Sequence, residues 1–198
     1  MAHTAASYEG ALEAFRQGVG QATHLFNGMA ALGHREPGPA GAVLDSEQVR
    51  AELICDGIHI HPAMLRLAFR ILGSRAVVVS DSMRAAGMPD GEYTLGGQKV
   101  CVRQGTALLR DGTLAGSTTN LHQELRNLLR FGIPLAQAVK AMTLNPAVQL
   151  GADKTTGSIQ PGKYADLVVL DQDYENFFMV LVKGKIRWCG NRAPAECP

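Results

Sequence analysis

Residues 76–79, Ala-Val-Val-Val, form a continuous apolar run ending at Ser80 and Asp81. A strand with no polar face cannot lie on a solvated sheet, so it has to be covered on both sides, as strands of a parallel α/β sheet are. Residues 51–55 read as a second buried strand, ending at Asp56-Gly57-Ile58-His59, and 21–26 as a shorter one ending at His24 and Asn27. Helical spacing fills the intervals. Tyr8, Ala11, Leu12 and Phe15 share one face, and Gly18 follows as a stop. Pro62 suits a first helical turn ahead of the stripe Met64, Leu65, Ala68, Phe69 and Leu72. Strands alternating with helices predict an α/β fold with a parallel sheet.

The remainder of the chain is simpler to partition. Residues 33–42 read as a Gly/Pro-rich loop, and 93–114 as a β-ribbon with turn signals at Gly96-Gly97 and Asp111-Gly112. Helices are expected over 120–129, from Pro134 to Met142, and from Asn145. A polar, Gly-rich stretch at 151–163 marks a boundary, so that 1–150 forms the main domain and 151–190 a β-strand appendage. Within the appendage Lys183-Gly184-Lys185 is a hairpin turn, and 191–198 is a tail. The net charge of +1 and the lack of a basic stripe argue against nucleic acid. No apolar run approaches a membrane span, and no leader precedes Tyr8, so a cytoplasmic protein is expected. The cysteines at 55, 101, 189 and 197 are far apart and form no C-x-x-C pair, which predicts reduced, structural thiols.

The chemistry-bearing residues follow the strands. His3 and His24 are separated by one helix and sit at one predicted and one plausible strand-to-loop junction. A single histidine is more often packed or solvated, but two neutral imidazoles suit Zn²⁺, which takes three protein ligands and keeps one position open. No third ligand stands out beside them. Asp81, if desolvated by the run before it, is placed as a general base that later returns its proton to a leaving amine; a turn or helix-capping aspartate is the plainer alternative. Arg35, in a loop with Glu36, Pro37 and Gly38, is able to clamp phosphate bidentately, or is simply solvated. His59 is a candidate substrate donor, whereas His34, His61 and His122 read as surface residues. In 114–117 (LAGS) small residues permit close substrate approach to the backbone; Ser117, Thr118 or Asn120 equally suits a helix cap.

With these residues in view the chain resembles the N-acetylglucosamine-6-phosphate deacetylase family of amidohydrolases. The resemblance rests on ATHLFNGM (22–29), HREPG (34–38), CDGIHIH (55–61), VVSDSM (78–83) and LAGS (114–117), with NPA (145–147) and GSIQPGKYADLVV (157–169) as more widely shared segments. It implies the C-terminal half of a (β/α)8 TIM-type barrel plus a small C-terminal β-sandwich segment. It also implies hydrolysis of the acetamide of N-acetylglucosamine 6-phosphate, giving glucosamine 6-phosphate and acetate. On it, His3 and His24 match ligands of a divalent metal, most often Zn²⁺, and Asp81 matches the catalytic acid/base. Asn27, Gly28, Arg35, Asp56, Gly57, Ile58, His59, Leu114, Ala115, Gly116 and Ser117 match substrate-binding positions. Arg35 is expected to reach a neighbouring subunit's site in a homodimer. The family's third metal ligand lies upstream of His3, so a chain beginning here is expected to be impaired and to expose unpaired strand edges. The alternatives are a catalytically inactive sugar-phosphate-binding half, or an amidohydrolase with a different amide.

Overall fold

The computed structural model describes residues 1–190, so the tail at 191–198 lies outside the described residues. The described chain forms two compact units, one over residues 1–142 and one from residue 143 onward.

The first unit is organised by a three-stranded parallel sheet. In chain order its elements are α1 (Tyr8–Arg16), β1 (Gln21–Ala22), α2 (Gly38–Asp45), β2 (Arg50–Leu53), α3 (Pro62–Leu72) and β3 (Ala76–Val78), and the sheet order is β1-β2-β3. Ala22 pairs with Ala51, Ala51 with Ala76 and Leu53 with Val78. These residues are all buried, as are Leu65, Phe69 and Leu72 of α3. Met1 adds a further stub beside β1: its ammonium donates to the Gln21 carbonyl at 2.7 Å, and its carbonyl accepts from Thr23 N at 2.9 Å.

β1 is shorter than the sequence implies. His24 and Phe26 take φ values of 31° and 76°, which end the extended conformation at once. β2 also departs from the expected double-sided burial. Glu52 faces away from the buried alanines and leucine and accepts hydrogen bonds from Gln21 Nε2 and Thr23 Oγ1, so one sheet face carries a polar cluster.

The Gly/Pro-rich stretch is not simply a loop, because its second half folds into α2. Pro39 occupies the first turn, where its missing N–H has no partner to lose. Gly38 to Val43 are buried. A Cβ on Gly41 would meet Pro37 Cβ at 2.3 Å, so glycine allows the tight entry into this helix. Burial therefore overrides the weak helix propensity of the segment. Arg75 secures its far end, donating to the carbonyls of Val43 and Val49 at 3.1 and 2.8 Å.

β4 (Gly91–Leu95), β5 (Gln98–Arg103) and β6 (Thr106–Leu109) make an antiparallel sheet rather than a two-stranded ribbon. Gly96-Gly97 closes the first hairpin as expected; Gln104-Gly105, with φ of 49° and 72°, closes a second. Met83, Ala85, Val100, Val102 and Ala107 form the sheet's own small core. α4 (Leu121–Arg130) is capped by Asn120, whose side chain accepts from Gln123 N, and α5 (Leu135–Met142) completes the unit. His61 is likewise a cap, for α3, rather than a plain surface residue.

The second unit begins with α6 (Leu144–Gln149), ahead of the boundary read from composition. Gly157 explains the grouping, since a Cβ there would lie 2.5 Å from Ala147 Cβ and 3.0 Å from the Thr143 carbonyl. β7 (Leu167–Leu170), β8 (Phe177–Val182) and β9 (Lys185–Cys189) form one antiparallel sheet, with Lys183-Gly184 as the hairpin turn. Cys55 and Cys101 are free thiols, but Cys189 is disulfide-bonded, which corrects the expectation of reduced cysteines throughout. Among the described residues no helix is long and apolar enough to cross a membrane.

α3 offers a direct test of this packing. Phe69 is fully buried and Ile71, on the opposite face, is 52% exposed. Phe69→Ala is expected to destabilise the chain by about 3–5 kcal/mol, the range for truncating a buried aromatic. Ile71→Ala is expected to change stability by less than about 1 kcal/mol. Urea denaturation followed by circular dichroism measures both.

Candidate active site

Three parallel strands in register present their C-terminal ends along one edge, and the candidate residues follow those ends. His3 follows the Met1 stub, His24 follows β1, Asp56 and His59 follow β2, and Asp81 follows β3. Open α/β sheets place ligands at this edge.

His3, His24 and Asp81 share an unusual backbone. Their φ values are 41°, 31° and 47°, a left-handed conformation that costs non-glycine residues about 1–3 kcal/mol. The surroundings hold them in it. Asn27 folds back so that Nδ2 donates to the His24 and Leu25 carbonyls at 3.2 and 3.3 Å. Ser117 N donates to the Asp81 carbonyl at 2.9 Å, and its Oγ donates to the Ser80 carbonyl.

The two histidine rings meet edge to face with centroids 4.7 Å apart, and His24 Nδ1 is buried without a hydrogen-bond partner. A buried, unpaired imidazole nitrogen beside a second imidazole is a donor set that fits a divalent metal of borderline softness. Among the described residues no group of three or more His, Cys, Asp or Glu side chains forms a metal site. Gly28 bears directly on this pair. A Cβ at Gly28 would come within 2.7 Å of His3 Nδ1, so the absent side chain makes room for the ring.

Asp81 is exposed, which corrects the expectation that the apolar run desolvates it. Only the strand before it is buried; the αL turn at Asp81 carries the carboxylate out into solvent. Arg35 is exposed as well, ahead of α2.

His59 is bound more tightly than a free substrate donor would be. Nδ1 donates to Asp56 Oδ2 at 2.6 Å and Nε2 to the Ala115 carbonyl at 2.9 Å, with the two charged side chains only 7% and 2% exposed. The Ala115 carbonyl can only accept, and Asp56 accepts when ionised, so this geometry favours the doubly protonated ring. Burial pushes its pKa down, but the hydrogen bonds to Asp56 and Ala115 and the charges of Asp56 and Asp81 outweigh that and leave it raised. Burial likewise pushes the Asp56 carboxyl up. The hydrogen bond and charge from His59, with the backbone N–H groups of His59 and Ile58, prevail and leave it lowered. Gly57 lets the turn pass Phe131, whose Cζ would lie 2.8 Å from an added Cβ.

Leu114–Ser117 forms a strap over the end of β3 rather than an open ligand loop. Ala115 holds His59, Gly116 packs against the Asp81 carbonyl, and Ser117 pairs with Ser82 in a parallel bridge.

Sequence reasoning missed Glu124. It is fully buried, with Oε2 accepting from Cys55 N at 3.1 Å and Oε1 from Thr119 Oγ1 at 2.9 Å. The available signal was its position: Glu124 shares the buried face of α4 with Leu125 and Leu128. Burial, only partly opposed by these hydrogen bonds, raises its pKa to about 8. The Cys55 thiol is pushed well up by burial and by the nearby Glu124 and Asp56 side chains, which suppresses its nucleophilic thiolate form.

The Glu124 carboxyl makes stability depend on pH. Unfolded, it titrates near 4.5; folded, near 8. Between those values the folded chain keeps a proton that the unfolded chain has released, so its contribution to stability falls as pH rises. Glu124→Gln removes this slope. The melting temperature of the variant minus that of wild type is expected to rise from about pH 5 to about pH 8, measured by calorimetry; a constant difference would contradict the assignment.

Comparison with known proteins identifies the family. Residues 1–187 match the amidohydrolase family. N-acetylglucosamine-6-phosphate deacetylase of Vibrio furnissii is 38% identical over 197 residues, covering 99% of this chain and 49% of that protein. N-acetylgalactosamine-6-phosphate deacetylase of Escherichia coli O157:H7 is 42% identical over 172 residues, covering 86% and 46%. Among solved structures, N-acetylglucosamine-6-phosphate deacetylase of Thermotoga maritima superposes with a TM-score of 0.90 at 39% identity, covering 95% of this chain and 52% of that one. The chain thus spans about half the length of the relatives it matches.

Proposed function

Because this chain belongs to the amidohydrolase family, we propose that it is the C-terminal half of a metal-dependent deacetylase acting on N-acetylglucosamine 6-phosphate. In that reading β1–β3 and the Met1 stub are the last strands of a (β/α)8 barrel, and β7–β9 belong to a β-sandwich. The observation that carries the proposal is the row of His3, His24 and Asp81 at adjacent strand ends, each held in a left-handed backbone conformation. Such strain is retained where side-chain direction matters to function.

His3 and His24 would hold the metal, for which Zn²⁺ suits the two imidazoles. When bound, the metal supplies Lewis acidity toward the acetyl carbonyl and lowers the pKa of water. Asp81 takes the proton of the attacking water on its carboxylate and returns it to the amide nitrogen as the amine departs. The exposure of Asp81 leaves the carboxylate accessible to substrate. Arg35 and His59 bind the phosphate, and Arg35 on its exposed loop is available to a neighbouring subunit of a homodimer. His59 brings positive charge, but its Nε2–H is engaged with Ala115. A phosphate oxygen would have to take that carbonyl's place. Asn27, Gly28 and the Asp56–His59 turn border the sugar.

A second reading, the C4 epimer N-acetylgalactosamine 6-phosphate as substrate, is favoured by the 42% identity to the Escherichia coli O157:H7 protein. Acetate release by the zinc-loaded chain, assayed with both phosphorylated sugars and with N-acetylglucosamine itself, decides between them. Turnover, expected to be low for this half-length chain, is expected to require the 6-phosphate. Asp81→Asn is expected to lower it by about 10²–10⁴-fold, the contribution of a general acid/base. Binding of a phosphorylated sugar with no acetate released would favour a catalytically silent binding half.

The metal assignment has its own test. Gly28→Ala intrudes on the His3 ring and is expected to weaken Zn²⁺ binding by about 10–100-fold, as loss of support around a ligand does. Isothermal titration of the metal-free chain measures it, and unchanged affinity would remove His3 from the site.

A further inference from the structure

One buried carboxyl group joins two segments that the proposed chemistry needs held together. The first is the turn after β2. Glu124 accepts from Cys55 N, and one helical turn on, Asn127 Nδ2 donates to the Cys55 carbonyl at 3.3 Å and the Asp56 carbonyl at 3.5 Å. α4 thus grips both the N–H and the carbonyl side of the bend that launches Asp56. Asp56 in turn fixes the turn: Oδ1 accepts from Ile58 N and His59 N, each at 2.8 Å, and Oδ2 accepts from the His59 ring.

The second segment runs beside Asp81. Thr119 Oγ1 donates to the other oxygen of Glu124. The Thr119 carbonyl accepts from Ser82 Oγ at 2.7 Å, and Ser117 brackets Asp81 by donating to its carbonyl and accepting from Met83 N at 2.9 Å. The two oxygens of one side chain therefore hold Cys55 N, at the base of the His59 turn, and Thr119 Oγ1, in the strap beside Asp81. An uncommitted buried carboxyl would be costly, and a leucine would fill the space with no bond to either segment.

We propose that Glu124 is a positioning residue: it ties the Cys55–His59 turn to the Ser117–Thr119 strap and so sets the spacing between the phosphate-binding side and the proton carrier. The functional meaning of that spacing rests on the deacetylase reading. The mechanical coupling does not, and it is measurable without substrate. A chain that bound its phosphate at His59 and moved its proton at Asp81 would lose rate from a displacement of either by about 1 Å. Glu124 governs that displacement although it touches neither group.

The test is NMR of the full 198-residue chain, metal-free and with ¹⁵N-labelled histidine, together with backbone amide shifts. In wild type both His59 ring N–H protons are expected to be observed. Glu124→Ala is expected to lose the Nε2–H signal as the turn slips away from Ala115. Glu124→Gln restores an acceptor for Cys55 N and a group for Thr119, and is expected to retain both protons. Glu124→Ala with both ring protons kept and unshifted, and only a lower melting temperature, would overturn the proposal by reducing Glu124 to a structural role. Thr119→Val, which preserves side-chain volume, covers the case in which the alanine variant does not fold. It is expected to shift the amides of Ser80–Ser82 and of Cys55 together. Changes confined to Thr119 and its sequence neighbours would also overturn the coupling. Titration with inorganic phosphate reads the underlying function separately. An unresponsive wild-type His59 ring counts against the phosphate role of His59 and leaves the Glu124 comparison intact.

Discussion

Parallel pairing of β1, β2 and β3 is the constraint on which the rest of the structure depends. In a parallel sheet every strand runs the same way, so the residues that follow the strands emerge at one edge whatever their distance in sequence. His24, His59 and Asp81 span 58 positions of sequence yet emerge at one sheet edge because of it, and the Met1 stub brings His3 to the same edge. The buried alanines that pair across the sheet, Ala22, Ala51 and Ala76, are small enough for helices to sit close on that face. The site is thus a consequence of packing on the helical side.

The strand ends do not obtain their geometry without cost. Three non-glycine residues in left-handed conformation oppose folding, and the chain offsets them with backbone hydrogen bonds from neighbouring turns. Asn27 supports His24, Ser117 supports Asp81, and Gly28 leaves room beside His3. Asp56 acts in the same way one strand over, except that it holds a charged ring rather than a strained backbone. Residues that a motif reading assigns to ligand contact therefore have structural work as well, and Ala115 and Ser117 show this most clearly. Their polar backbone groups are engaged within the chain, so a ligand meeting the strap must either accept that engagement or exchange with it.

Much of this was legible in the sequence, for identifiable reasons. The alternation of apolar runs and helical stripes reports burial directly, and it located α3 and, to within one residue at Val79, β3. Strand-end placement of the chemical residues followed from the same pattern. What escaped was whatever depended on tertiary contact. The segment from Gly38 to Asp45 has little helix propensity of its own and is helical because it is buried. Glu52 lies in a strand that reads as apolar, yet its face is polar because Gln21 and Thr23 lie alongside. Asp81 reads as desolvated from the residues before it, but a single positive φ carries it into water. Glu124 reads as an ordinary helix-surface acid until its neighbours on the apolar face are considered.

The charge arrangement at the strand ends supplies the last step. Asp56 is lowered and His59 raised, so each favours the charged form of the other within one turn. By linkage, the Asp56 contribution to stability is lost as pH falls through its lowered pKa, and the His59 contribution is lost as pH rises through its raised one. The pair therefore stabilises the turn over the interval between them. Glu124, behind them, is neutral over most of that interval because its pKa lies near 8. A second ionised acid there would add like charge beside Asp56. A neutral one can hold Cys55 and Thr119 without drawing the imidazolium away from Asp56. A carboxyl kept protonated by burial can thus fix the turn while leaving the charge balance of the site to Asp56, His59 and Asp81.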